Sequence, residues 1–295
     1  MRPLMYRSRL GAWLASLLLL CACSPPAPPA ARAPAPVAAQ RIITLSPHLT
    51  ELAFAAGAGD HLVGAVAFSD YPPAARRVPR VGDAFRVDYE VVAALDPDLI
   101  LGWTSGNPPE TLARLRELGF HVVALEPTEL ADIGRQISRI GALAGTLAVA
   151  EPAAAAFQAR LDALGSRAAH AARISVFLQL AARPYYTVTD RHFLGQGLQL
   201  CAGDNVFGGL PGLTAIVEAE AVLDAAPEVI IASDISGSDA LAGWQAWPGL
   251  PAVRDGNLFL VDADLLSRPG PRLLDGIELM CARLDEARGR RRPEG

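Results

Sequence analysis

Apolar and polar positions alternate along this chain in short blocks whose period switches between strand-like and helix-like. Residues 41–46, Arg41-Ile-Ile-Thr-Leu-Ser46, form a β-branched run that ends in a turn, and residues 51–58 space their apolar side chains as a helix does. Residues 62–66, 98–102 and 121–125 read as further short buried strands, separated by helical stretches at 89–95 and 109–118. The same grammar returns later, with strands at 173–180, 205–207, 228–232 and 258–261. Strands that alternate with helices predict parallel sheets, and two such series predict two α/β lobes. The Ala-rich stretch 147–172 is expected to be a single long helix joining them, with Pro152 acceptable only in its first turn. The expected plan is therefore an N-terminal lobe over 41–146, a linker helix over 147–172 and a C-terminal lobe over 173–287. A ligand cleft would lie between the lobes, where the C-terminal ends of the strands present their loops.

An internal echo supports the two-lobe reading. Glu90-Val-Val-Ala-Ala-Leu-Asp-Pro97-Asp-Leu-Ile100 is matched by Glu220-Ala-Val-Leu-Asp-Ala-Ala-Pro227-Glu-Val-Ile230. In each, a Glu opens a helix seven residues before a Pro, at the helix end whose dipole favours a carboxylate, and an acid and an apolar strand follow. A second pair, Ala58-Gly-Asp60 before Leu62-Val-Gly64 and Ala202-Gly-Asp204 before Val206-Phe-Gly208, recurs in another matched context.

Composition narrows the function. Of 295 residues, 51% are hydrophobic and 19% charged, which excludes disorder as the main state. A net charge of −5 argues against a nucleic-acid binder, which shows phosphates a basic face. All 26 basic residues are Arg; the missing Lys removes the P-loop, Schiff-base chemistry and any Lys general base.

The N-terminus reads as an export signal. Arg2, Arg7 and Arg9 precede an apolar run over 10–23, too short for a membrane span of about 20 residues. Leu20-Cys21-Ala22-Cys23 has the form of a bacterial lipobox, so residues 1–22 are expected to be cleaved and Cys23 lipidated. Residues 24–40 hold six Pro and seven Ala, and residues 23–40 are expected to be a semi-extended tether. The localisation expected is periplasmic or extracytoplasmic, with the membrane met only through the lipid anchor. Losing three Arg with the signal leaves 23 basic against 31 acidic residues. In that oxidising space Cys201 and Cys281 remain as one pair, and they are expected to be bonded.

Catalytic chemistry finds little support. His48, His61, His121, His170 and His192 show no metal-ligand spacing and read as structural or surface residues. There is no G-x-S-x-G elbow, and Gly195-Gln-Gly197 lacks the third glycine of a dinucleotide fingerprint. Asp70, Asp83 and Asp264 read as caps or turn residues. No catalytic residue, metal or cofactor is expected.

The residues that remain carry a resemblance. Ile42-Ile-Thr-Leu-Ser46-Pro47-x-x-Thr50-Glu51-Leu-Ala-Phe-Ala-Ala-Gly57 and Phe68-Ser69-Asp70-Tyr71-Pro72-Pro73 are followed by Ala94-Leu95-x-Pro97-Asp98-Leu99-Ile100 and Trp103-x-x-Gly106-Asn107. Val176-Phe177-Leu178-Gln179, Cys201-x-Gly203-x-Asn205-x-Phe207, Glu220, Asp264-x-x-x-Arg268, Pro271-Arg272 and Cys281 complete the set. Over residues 41–285 this resembles the vitamin B12-binding periplasmic proteins, the substrate-binding components of the cobalamin ABC importer.

The resemblance implies two Rossmann-like lobes on one long helix with limited hinge motion, a Cys201–Cys281 disulfide, and cobalamin as transported ligand rather than cofactor. By position, Glu90 and Glu220 match lobe-tip carboxylates that dock on Arg pockets of a permease dimer, which works with its ATPase subunits; two equivalent anions suit a twofold-symmetric partner. The free carrier is expected to be a monomer. Phe68 and Trp103 fall where the family meets the corrin, and Asp264, Leu265, Leu266, Ser267 and Arg268 fall on a ligand-touching loop. A corrinoid is a broad apolar disc fringed with amides, and aromatic faces suit it. The chain departs from the family at Ala84 and Thr214, where members can carry Trp, at Leu180 in place of Phe, and at Leu265 in place of an aromatic; Tyr186, Phe85 and Tyr89 are available to compensate.

Other carriers remain open. A ferric siderophore would be met by an Arg cluster, for which Arg86, Arg183, Arg191 and Arg268 are present. Haem would draw on Tyr71, Tyr185, Tyr186 or His48. A lipid-anchored surface scaffold also fits an acidic domain, and the Arg-rich residues 288–295 are expected to be a solvated tail.

Overall fold

The alternation of short apolar strands and helices builds two sheets. The computed structural model describes residues 38–182, 184–234 and 237–291; the proposed signal, Cys23, Arg183 and the last four residues lie outside them. The first sheet contains β1 (Ile42–Thr44), β2 (Leu62–Ala65), β3 (Leu99–Trp103) and β4 (Val122–Leu125), all parallel, in the order β2-β1-β3-β4. The second is centred on β5 (Ile174–Ala182), which pairs in parallel with β9 (Val229–Ser233); β9 pairs with β10 (Leu258–Val261). The other edge of β5 is shared: β7 (Gly203–Asn205) runs parallel to its first residues and β6 (Tyr185–Val188) antiparallel to its last, with β8 (Thr214–Val217) beyond β6.

Without the antiparallel β6 and β8, the second sheet reads β7-β5-β9-β10, the order of the first. The echoed segments occupy equivalent places. Glu90 is the second residue of α2 (Tyr89–Ala94) before β3, and Glu220 the second of α7 (Ala219–Ala225) before β9. Each helix ends in a left-handed residue directly before the proline, Asp96 at φ 43° and Ala226 at φ 44°, so the repeat extends to an uncommon backbone conformation. The strand expected at 205–207 instead lies at Gly203–Asn205, because Asn205 turns the chain: its Oδ1 accepts from Phe207 N–H and its Nδ2 donates to the Val188 carbonyl.

Two antiparallel helices, α4 (Leu130–Ala144) and α5 (Leu147–Ala168), join the sheets. They pack closely because a side chain at Gly141 would fall 2.2 Å from Ala150 Cβ. Pro152 is the sixth residue of α5 and not in its first turn; Ala148, whose carbonyl it leaves without a helical donor, is an exposed residue. One apolar cluster runs from α1 (Pro47–Ala55) through Ile133, Ile137, Phe157 and Leu161 to α6 (Phe193–Leu200) and α10 (Leu273–Arg290). The lobes share this core, while the outer face of each sheet has its own cluster. The disulfide Cys201–Cys281 ties the end of α6 to α10.

Both ends of the folded part depart from expectation. Residues 38–40 of the expected tether are docked: Ala39 is buried and its N–H donates to the Leu143 carbonyl, and Asp98 accepts from the Gln40 and Arg41 N–H groups. The expected tail is helical through Arg290, and its described arginines, Arg288, Arg290 and Arg291, are engaged. Arg288 donates to the carbonyls of Ala172, Cys201 and Ala202, and Arg291 pairs with Glu228. No helix among the described residues is long and apolar enough to cross a membrane.

Candidate functional site

The motif around Ser46 fixes the loop that follows β2. Thr50 is fully buried; its Oγ1 lies 2.7 Å from Thr44 Oγ1 and donates to Ser69 Oγ at 3.0 Å. Ser69 is thereby fixed, and Phe68 beside it is held at φ 64° with 76% of its surface in water. A phenylalanine in the left-handed region and exposed to solvent is a strained apolar surface, of the kind found where ligands bind. Phe85, 72% exposed, sits in a turn closed by Asp83 Oδ1, which accepts from the Phe85 and Arg86 N–H groups and keeps the Asp83 carboxyl below the usual range.

Trp103 ends β3. Asn107 staples it there: Oδ1 accepts from Trp103 N–H, while Nδ2 donates to the carbonyls of Leu45 and Ala84. The indole lies over Gly106, where a Cβ would come within 1.8 Å of the ring. The Trp-x-x-Gly-Asn motif is thus a mounting for one aromatic ring. The indole and the His48 ring form a T-shaped contact with centroids 4.8 Å apart, and the indole Nε1 donates to Glu126.

Two cavities open at the C-terminal strand edges. The larger, about 380 Å³, is lined by Trp103, Ser105, Glu126, Pro127, Thr128, Arg191, His192, Phe193 and Leu213. The smaller, about 210 Å³, is lined by Trp103, Leu180, His192, Phe193, Leu194, Ser233, Leu266 and Ser267. Trp103, His192 and Phe193 wall both, so the two are compartments of one cleft with residues of both lobes on its sides. A larger groove of about 670 Å³ lies elsewhere, between the start of α4, the end of α5 and α6, and has no aromatic in its lining.

The acidic and basic residues beside the cleft are mostly spent on each other. Arg268 donates to Asp70 at 2.8 Å and to Asp264 at 2.7 Å, and lies 3.5 Å from Glu51. Arg272 donates to both oxygens of Glu51, and its guanidinium covers the Tyr71 ring at 4.0 Å. Asp70 is held below the usual carboxylate range: partial burial works against this, and its hydrogen bond and ion pair with Arg268 prevail.

Of the residues expected at the ligand, Trp103, Leu266 and Ser267 line the cleft, and Phe68 stands exposed on the loop after β2. Asp264 and Arg268 are paired, and Leu265 lies against Gly276 of α10. Among the residues considered for haem, His48 is buried, with Nδ1 on Ser46 Oγ and burial lowering it to about 3, and Tyr185 packs with Phe177 and Trp244. Gln179 orients that core, accepting from Trp244 Nε1 and donating to the Ala240 carbonyl. Glu90 and Glu220 are both exposed. His192, expected to be a structural or surface residue, and Phe193, which no sequence motif singles out, are central to the cleft; the polar residue before an apolar helix start is the available signal. No group of three or more His, Cys, Asp or Glu able to hold a metal ion occurs among the described residues.

Comparison with known proteins places the fold and the family. The model of a family described as periplasmic binding protein matches residues 42–265. A vitamin B12-binding protein of Vibrio cholerae serotype O1 is 37% identical over 250 residues, covering 84% of this chain and 90% of the relative. One from Pectobacterium atrosepticum is 34% identical over 254 residues, covering 84% and 89%. The crystal structure of periplasmic vitamin B12 binding protein BtuF of Vibrio cholerae superposes with a TM-score of 0.77 at 38% identity, over 84% of this chain and 98% of that one. The periplasmic heme-binding protein RhuT from Roseiflexus superposes at 0.74 with 25% identity, over 84% and 99%. With its fold and most of its folded length in common with these proteins, the chain belongs to the periplasmic binding protein family.

Proposed function

We propose that this protein is an extracytoplasmic carrier that captures cobalamin or a related corrinoid in the interlobe cleft and delivers it to an ABC permease dimer driven by its ATPase subunits. The observation that carries the reading is the aromatic wall: Trp103 and Phe193 inside the cleft, with Phe68 held in water by the Thr50–Ser69 contact. Such a surface suits a broad apolar disc and offers little to a compact charged solute. The vitamin B12-binding relatives support the choice. The free carrier acts as a monomer without chemical turnover, and Cys23 carries the lipid that keeps it at the membrane.

Haem is the second reading, supported by the likeness to RhuT and by Tyr186, which stays 39% exposed on β6. Engagement of His48, Tyr71 and Tyr185 by other groups favours the corrinoid. Isothermal titration of the mature domain with cyanocobalamin, cobinamide, haemin and a ferric hydroxamate decides. One-to-one binding of cyanocobalamin is expected; a response to haemin or the hydroxamate alone would move the function to iron acquisition.

A further inference from the structure

His192 sits on the C-terminal-lobe wall of the cleft as the N-cap of α6, and its ring has a fixed polarity. Nδ1 accepts a hydrogen bond from the Leu194 N–H at 3.1 Å. An imidazole nitrogen that accepts carries no hydrogen, so the hydrogen of the neutral ring resides on Nε2. Nε2 has no partner among the described residues and is not among the dry polar atoms. The ring lies against that of Phe193, centroids 3.9 Å apart and planes tilted by 38°, which restrains it, and it borders both compartments of the cleft. Burial lowers its pKa to about 4, so near neutral pH the ring is uncharged.

Two of the charged groups nearby are already engaged. Both oxygens of Glu126 are taken by Trp103 and Ser105, and Arg268 is held by three carboxylates. Presenting a lone pair at Nε2 would require moving the hydrogen to Nδ1, which would break the bond to Leu194 and uncap α6. The same ring therefore donates readily and coordinates a metal poorly.

We propose that His192 is a specificity-determining residue, a neutral donor whose Nε2–H meets a carbonyl oxygen on the ligand's rim, such as a peripheral carboxamide, and does not ligate the ligand's metal. This rests on the corrinoid reading for the identity of the acceptor, and on the structure alone for the tautomer.

The test pairs nitrogen NMR of histidine-labelled protein with titration of His192→Ser. Serine keeps an oxygen for the Leu194 N–H but is too short to reach into the cleft. The spectra are expected to show His192 protonated at Nε2 and bare at Nδ1, both before and after cyanocobalamin. The variant should bind cyanocobalamin about tenfold more weakly at unchanged thermal stability. A hydrogen on Nδ1, or equal affinity of the two proteins, would overturn the proposal. Should cyanocobalamin fail to bind wild type, the corrinoid reading falls, and the same two proteins are titrated with haemin, whose propionates are also acceptors. Weaker haemin binding with an unchanged Soret band would retain the donor; a band shifted by the substitution would make His192 an iron ligand and refute it.

Discussion

Arg272 reaches from the C-terminal lobe into the carboxylate of Glu51 in the N-terminal lobe, Nε to Oε2 at 3.0 Å and Nη2 to Oε1 at 2.7 Å. The two residues are 221 positions apart, and the Glu51 side chain is 2% exposed. A buried carboxylate with one partner removed is left charged and undersolvated. Arg272→Met is therefore expected to destabilise by about 3 kcal/mol, while Arg272→Met with Glu51→Gln together should cost less than the sum of the two single changes. Urea denaturation of the four proteins provides the cycle, and additive effects would contradict the pairing.

Acid should loosen the protein well above the carboxylate range. His48 and His192 are lowered by burial to about 3 and about 4, from an ordinary value of 6.5. The unfolded chain binds these protons first, so their contribution is fully present above pH 6.5 and is lost as pH falls toward the folded values. Each group removes up to about 1.4 kcal/mol per pH unit in that window. Denaturant midpoints measured from pH 7 to pH 4.5 should fall steadily; a flat profile down to pH 5 would show that the two rings are hydrated.

Gly106 supports Trp103 from below. A methyl group there would press on the indole, the movable member of the contact, so Gly106→Ala should push the ring into the cleft. A shift in tryptophan emission and about a tenfold loss of ligand affinity are expected, with a stability change near 1 kcal/mol. A large stability loss with unchanged affinity would assign Gly106 to folding alone.

Glu90 and Glu220 are exposed, occupy the same place in the two lobes and lie outside the cleft lining. Glu90→Ala with Glu220→Ala is expected to abolish uptake in cells that depend on this carrier while leaving titrated ligand affinity unchanged. An equal fall in affinity would refute the docking role.

Some of this was written locally in the chain. The strands β1, β3, β5 and β9 and the helices α2 and α3 (Pro109–Glu117) follow from runs of a few residues, because apolar periodicity and capping act over one or two turns. The amphipathic α4, with Leu130, Ile133, Ile137 and Ile140 on its buried side, is equally legible in its apolar spacing. The antiparallel β6 and β8 were not legible, since their pairing depends on β5 being in place to receive them.

The sequence by itself determined two α/β lobes with matching helix-start glutamates and a cysteine pair, since alternation, repetition and redox compartment need no knowledge of distant contacts. Only the tertiary structure decided that Arg268 and Arg272 fasten one lobe to the other, that the expected tail and tether end are docked, and that His192 faces the cleft. Those outcomes depend on residues brought together across the whole chain, where the position of a charge or a ring is set by the packing of elements that no local pattern encodes.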